Sequence, residues 1–296
     1  MNTTKKTALL PGISLISAVL IFGTVGVLKN YIPLPAALVA LLRGVLGAAF
    51  LLLFMLVTRK RFSFAAVKKN LPVLLLSGCC IGLNWLLLFE AVDISVSVGT
   101  LCYYTAPIFV ILLSPLLLKE KLTPVKLAAV AVALCGMVLV SGVFEGGVAD
   151  LSCILFGIGA ALLYASVMIL NKKLRDISAY ERTVIQLLFA SLVLLPFCLF
   201  GGEFEKLADC GLTEWGLLLV IGIVHTGFAY SLYFGSMMHL KAQTVALLSY
   251  LDPATAVLWA FLLLHETLSL PALIGAVLVI GAAMMGELLP IKKAKE

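Results

Sequence analysis

The chain reads as an all-α integral membrane protein: ten transmembrane helices in two inverted five-helix repeats, with N- and C-termini cytoplasmic. Three observations predict this. Apolar runs of bilayer length recur from end to end, with only 12% of residues charged and a mean hydropathy of +1.16; a soluble domain carries about twice that charged fraction. A second-half stretch repeats a first-half stretch at a constant shift of 146 residues. Lys and Arg gather in alternate connections. The apolar runs lack the polar/apolar alternation of a membrane β-barrel.

The expected spans cover about 9–28, 35–57, 71–91, 95–118, 124–143, 151–170, 180–200, 213–235, 242–264 and 270–289, each near the ~20 residues that cross a hydrocarbon core. Lys5 and Lys6 precede a run that continues to Leu28 with no small-residue cleavage site. It is read as the first span rather than a signal peptide. The longest connections, near 58–70 and 201–212, leave no room for a soluble catalytic domain.

Charge sets the orientation. With the N-terminus inside, 18 of the 21 Lys and Arg residues fall on the cytoplasmic side; Lys29 and Lys206 lie outside and Arg43 within a span. The positive-inside rule supports that arrangement. The net charge of +6 therefore reflects contact with the inner leaflet rather than nucleic-acid binding. The seven cysteines are scattered, with no CxxC pair and no neighbouring His. No cofactor or metal is expected.

The repeat is specific. Tyr104-Thr105-Ala106-Pro107 becomes Tyr250-Leu251-Asp252-Pro253, and Leu118-Lys119-Glu120-Lys121-Leu122-Thr123 becomes Leu264-His265-Glu266-Thr267-Leu268-Ser269. The Pro-to-Glu spacing is 13 residues in both copies. Residues 1–147 and 148–296 are thus expected to form two repeats of one unit. Five spans per repeat is an odd number, so the second repeat enters the membrane upside down, as in many alternating-access carriers.

With the Tyr-x-x-Pro element, the Leu-rich run and the closing Lys-Glu-Lys-Leu-Thr-Pro in view, the chain resembles the drug/metabolite transporter superfamily, EamA type. Arg43 followed by small residues, and Phe22-Gly23-Thr24, also look like that family. The resemblance covers essentially the whole chain. It implies a secondary active transporter of a small organic solute (an amino acid, metabolite or drug-like amine), often an exporter, in the inner (plasma) membrane of a bacterium.

Several residues are candidates for the site. Asp252 sits mid-span directly before Pro253. A carboxylate at that depth costs roughly 2.5–3.5 kcal/mol on insertion scales and so usually faces a cavity. Pro253 frees a carbonyl near Ser249. Asp252 and His225, mid-span in the eighth helix, are the candidates for proton coupling. Tyr103 and Tyr104 precede Pro107; adjacent helical residues point ~100° apart, so only one of the two is expected to face the cavity, and the repeat favours Tyr104. Asn84 and Trp85 lie midway along the third span, and Gly78-x-x-x-Gly82 on that span marks close helix packing. Tyr164, Tyr230 and Tyr250 complete the expected substrate contacts, with Tyr233 further along the eighth span. Arg43 is expected to pair with Glu90, with anion binding by Arg43 as the alternative. Glu120 and Glu266 are expected to cap the start of the next helix, beside Thr123-Pro124 and Ser269.

No Gly-x-x-x-x-Gly-Lys-Ser/Thr loop is present, so the chain does not drive itself with ATP. The competing readings are a membrane-embedded enzyme, a channel or a structural membrane partner. The expected partners are a small-molecule substrate and the lipid bilayer. One chain supplies both halves, so a monomer suffices, with a homodimer open.

Overall fold

The computed structural model describes residues 3–140, 150–264 and 269–288. Helices fill it: α1 (Thr3–Phe22), α2 (Val25–Asn30), α3 (Ala36–Val57), α4 (Phe64–Ile94), α5 (Val96–Tyr103), α6 (Ala106–Leu118) and α7 (Pro124–Val140) make the first half. The second half holds α8 (Leu151–Lys173), α9 (Ala179–Phe200), α10 (Leu212–Val220), a π-helical turn (Ile221–Phe228), α11 (Ala229–Met237), α12 (Ala242–Ser249), α13 (Leu251–Leu264) and α14 (Leu270–Leu288). Among the described residues, eight stretches are long and apolar enough to cross a bilayer. The expected fifth and tenth spans fall on shorter apolar helices, Pro124–Val140 and Leu273–Met285.

Local chemistry explains the ends. The Ser63 hydroxyl accepts from the Ala66 N–H (3.2 Å). It starts α4 at Phe64, two turns before the expected 71, because a cap satisfies otherwise orphaned amides. The Asp150 carboxylate accepts from the Ser152 N–H (2.6 Å) at the head of α8. Ser178 and Glu181 form a reciprocal capping box on α9. Three helices end near residues in the left-handed region, Arg59, Lys119 and Asp176, which reverse the chain. The exposed Lys69–Asp176 pair (2.8 Å) holds that carboxyl below the usual carboxylate range through its hydrogen bond to the ammonium. Solvent screens this pair, so it contributes little.

Four rods that the hydropathy reads as continuous are interrupted. The α1/α2 break falls at Gly23-Thr24, the α5/α6 break at Tyr104-Thr105, the α12/α13 break at Tyr250, and α10 passes into α11 through the π-helical turn. Around Tyr104 and Tyr250 the bonding tightens to three-residue spacing, with Thr105 donating to Cys102 and Tyr250 to Leu247. Pro107 and Pro253 have no N–H, which removes the four-residue donors of Tyr103 and Ser249. The two breaks lie one repeat shift apart.

The halves interleave: α3 and α4 pack on α8, α9 and the π-helical turn. Gly78 and Gly82 allow the α4–α9 contact. A Cβ at Gly78 would stand 2.9 Å from the Gln186 carbonyl oxygen, and one at Gly82 2.8 Å from that of Ala190. Asn84 turns out to serve the same interleaving. Its amide donates to the Ala160 carbonyl (2.7 Å), and the residue is 2% exposed. It ties α4 to α8 rather than lining a cavity. Asn84→Ala is expected to lower unfolding stability by about 0.6–1.7 kcal/mol, read by denaturant titration, while transport is retained.

Candidate functional site

One interior opening lies where the broken helices meet. Its walls include Phe22 of α1, Tyr103 and Tyr104 at the α5/α6 break, Tyr164 of α8, Tyr233 of α11, and Ser249 and Asp252 at the α12/α13 break. Its cavity volume is ≈ 20 Å³, about the room one water needs. An organic solute requires several hundred Å³, so this conformation is contracted.

Its polar groups are one carboxylate and several hydroxyls. No hydrogen bond or ion pair engages the Asp252 carboxylate among the described residues; only its backbone carbonyl is engaged, by the Thr255 hydroxyl (2.9 Å). Three hydroxyls run in series: Tyr164 to Tyr233 (2.6 Å), Tyr233 to Ser249 (2.8 Å), and Ser249 to the Val245 carbonyl (2.8 Å). A carbonyl can only accept, so Ser249 donates to it, Tyr233 donates to Ser249, and Tyr164 donates to Tyr233. That direction leaves the Tyr164 oxygen with acceptor capacity only. Rings close the walls, with Tyr103 5.5 Å from Tyr104 and 5.7 Å from Tyr164 between centroids.

Both Tyr103 and Tyr104 line the opening, against the expectation of one. The 100° argument assumes an unbroken helix, and the break falls at this pair. Tyr250 stands elsewhere. It is fully buried against Ala133, Met137 and Ala254, and its hydroxyl has no hydrogen-bond partner among the described residues. Trp85 and Tyr230 form a layer behind the wall, Trp85 to Tyr230 at 6.2 Å and Tyr230 to Phe22 at 5.2 Å. Pro107 lies on the lining and Pro253 is buried. Glu266 falls outside the described residues.

Arg43 does not pair with Glu90. Its guanidinium lies 4.0 Å over the Trp85 ring, and its buried Nε has no hydrogen-bond partner among the described residues; Glu90 is exposed. A planar cation on an indole face needs no carboxylate. His225 sits in the π-helical turn, away from the lining. Its Nδ1 lies 3.3 Å from the Val220 carbonyl and its Nε2 2.7 Å from the Thr24 hydroxyl. The Thr24 hydroxyl gives its single proton to the Ile21 carbonyl (2.8 Å), which can only accept, so His225 Nε2–H donates to Thr24. This bond joins the α1/α2 break to the other half.

Glu120 is a cap, but of a different helix from the one expected. Its carboxylate accepts from the N–H groups of Ala242 (2.7 Å) and Gln243 (3.2 Å), at the head of α12. The left-handed Lys119 turns the chain away from α7, whose own cap is the Thr123 hydroxyl, accepting from Lys126 (3.3 Å). The Lys172 ammonium donates to the carbonyls of Met237 and Leu240 at the tail of α11. The α11–α12 turn is thus held by an anion on its incoming amides and a cation on its outgoing carbonyls, each opposing a helix dipole.

Phe22, Tyr233 and Ser249 were not selected from the sequence. The signal for Phe22 was the adjoining Gly23: a Cβ there would lie 2.5 Å from the Thr255 Oγ1, so α1 and α13 meet at that point. For Tyr233 over Tyr230 the reason is the π-helical turn, whose extra residue rotates α11 and changes which tyrosine faces inward.

Bilayer-length apolar helices surrounding a carboxylate-bearing, aromatic-walled opening define a polytopic membrane protein with a polar site at its centre. The model of the EamA-like transporter family matches residues 10–142 and again 151–286. The chain belongs to the EamA-like transporter family, within the drug/metabolite transporter superfamily. The uncharacterized transporter YxxF of Bacillus subtilis is 28% identical over 251 residues, 83% of this chain and 79% of that one. The threonine/homoserine exporter RhtA of Escherichia coli is 27% identical over 288 residues, 95% and 92% of the two chains. A crystal structure superposes with a TM-score of 0.79 at 18% identity, covering 94% of this chain and 97% of the other, which shows a shared fold. The protein is a membrane transporter for a small solute.

Proposed function

We propose that the chain is a secondary transporter for a small organic ammonium compound, working as an exporter by alternating access, with Asp252 as the anionic anchor of the solute. The observation that carries this is the Asp252 carboxylate, without a hydrogen bond or ion pair among the described residues, on an aromatic-walled opening. It and the accept-only Tyr164 oxygen want a donor, and the tyrosine faces attract a cation. The ≈ 20 Å³ volume supports a site that must open before it binds. The paired breaks at Tyr104 and Tyr250, one repeat shift apart, support two inverted repeats that rock about them. The positive-inside count supports ten spans with both termini cytoplasmic, in the bacterial inner membrane. Coupling to protons would run through Asp252, which holds solute and proton in turn.

Arg43 favours a refinement. Its buried, partnerless Nε stands at the far end of the Trp85–Tyr230–Phe22 ring series and is available to a carboxylate. A solute with both charges, such as the amino acids in RhtA's name, would span the two.

The test is counterflow in proteoliposomes. Vesicles preloaded with an unlabelled amine are expected to accumulate the labelled amine, with amino acids competing and simple carboxylates failing. Accumulation of carboxylates but not amines would overturn the assignment. Chemical alteration of the solute would point to an enzyme, and saturation-free flux to a channel.

A further inference from the structure

A second opening, unconnected with the reading of the central site, lies between the end of α3, the start of α9 and α11. Phe50 and Phe54 form one wall, Ala179 and Tyr180 another, and Phe228 and Leu232 the third. It holds ≈ 150 Å³, against ≈ 20 Å³ at the central site. Phe228 is 49% exposed within an apolar membrane-length stretch, so the groove opens sideways on the flank that meets lipid. At its α3 end the Lys60 ammonium lies 3.9 Å over the Tyr180 ring and 5.3 Å over that of Phe54. Arg59 and Arg61 adjoin it, and all three are exposed. The ion pair found among the described residues, Lys69–Asp176, leaves these three cations without a carboxylate.

An apolar groove with the Lys60 ammonium at one end, and the exposed Arg59 and Arg61 next to it in sequence, has the shape and charge of a single kind of ligand. A soluble anion would leave the aromatic walls unused, and a neutral lipid would leave the cations unused. We propose that this groove binds an anionic phospholipid, with one acyl chain along Phe50, Phe54, Phe228 and Leu232 and the phosphate at Lys60, Arg59 and Arg61. The site bears on the carrier through one shared wall. Phe228 closes the π-helical turn that holds His225, and a Cβ at the preceding Gly227 would lie 2.7 Å from the Phe50 ring. The acyl chain would therefore lie against the turn whose His225–Thr24 bond joins the halves.

The test uses the full chain in a non-ionic detergent, titrated separately with phosphatidylglycerol, phosphatidylcholine of the same chains, and inorganic phosphate, with the melting temperature as readout. A ligand that prefers the folded state raises that temperature. Phosphatidylglycerol is expected to raise it saturably, and the other two to leave it unchanged. Lys60→Gln is expected to shift the phosphatidylglycerol midpoint about fivefold higher, the effect of one cation beside an anionic lipid. Lys68→Gln, with an equal charge loss near the start of α4 and away from the groove, is expected to leave it in place. Ala179→Phe, which fills the groove, is expected to abolish the response. If that variant fails to fold, the exposed Lys60→Gln still decides. Equal responses to the two lipids, a full response to phosphate alone, or equal midpoints for Lys60→Gln and Lys68→Gln would overturn the proposal.

Discussion

Asp252→Asn is expected to abolish transport while making the protein more stable. The carboxylate stands in the membrane interior with no side-chain partner among the described residues, on the lining of an opening walled by Tyr103, Tyr104, Tyr164 and Tyr233. A charge at such depth costs about 2.5–3.5 kcal/mol on insertion scales, and a neutral amide of the same shape removes most of that cost. Losing the anionic half of a buried charge pair costs about 2–5 kcal/mol of binding, roughly 30-fold to more than 1,000-fold. Counterflow and thermal unfolding on the same preparation check both parts. Unchanged transport would remove Asp252 from the site. Lost transport with lowered stability would instead make it a structural residue with a partner.

Glu120→Ala is expected to cost about 1.5–3 kcal/mol, the range for hydrogen bonds to a charged group. It leaves the Ala242 and Gln243 amides without the carboxylate that crosses from the first half. A second contact stays in place, with the Gln243 side-chain amide donating to the Ser114 hydroxyl (2.8 Å). Glu120→Gln keeps an acceptor oxygen and should recover part of the loss. Chemical denaturation gives the stability, and counterflow the transport rate. Because this contact clamps α6 to α12, its loss is expected to slow exchange as well. A wild-type unfolding midpoint for Glu120→Ala would show that the cap contributes nothing.

Much of the architecture was legible because bilayer thickness imposes a length on every span. α3, for example, runs Ala36–Val57 against an expected 35–57. The breaks were not legible from hydropathy, which averages over a window and cannot register a residue such as Tyr104 or Tyr250 leaving the helix while staying apolar. Proline gave a partial signal at 107 and 253, since a missing N–H weakens the turn before it. The site was legible where chemistry alone decides: a lone carboxylate at Asp252 had to face something polar. It failed where helical phase decides. Both tyrosines of the Tyr103–Tyr104 pair line the opening because the helix ends between them, and Tyr233 replaces Tyr230 because a π-helical turn precedes them. Arg43 was assigned Glu90 because charge was sought for charge, whereas the Trp85 face lay nearer. Glu120 shows the same limit: the chemistry of capping was readable, but the capped helix is 122 residues away in sequence.

The prolines at 107 and 253 carry one more implication, which concerns water. Each deprives a backbone carbonyl, at Tyr103 and Ser249, of its four-residue donor deep in a non-aqueous slab, and a bilayer offers no substitute donor. Such backbone is tolerated where solvent reaches it. On the proposed function, the two fractures are where water would meet the backbone, and a solute with N–H groups would displace that water rather than enter dry space. Shedding its own hydration is then offset donor for donor, so dehydration need not set the speed of a transport cycle.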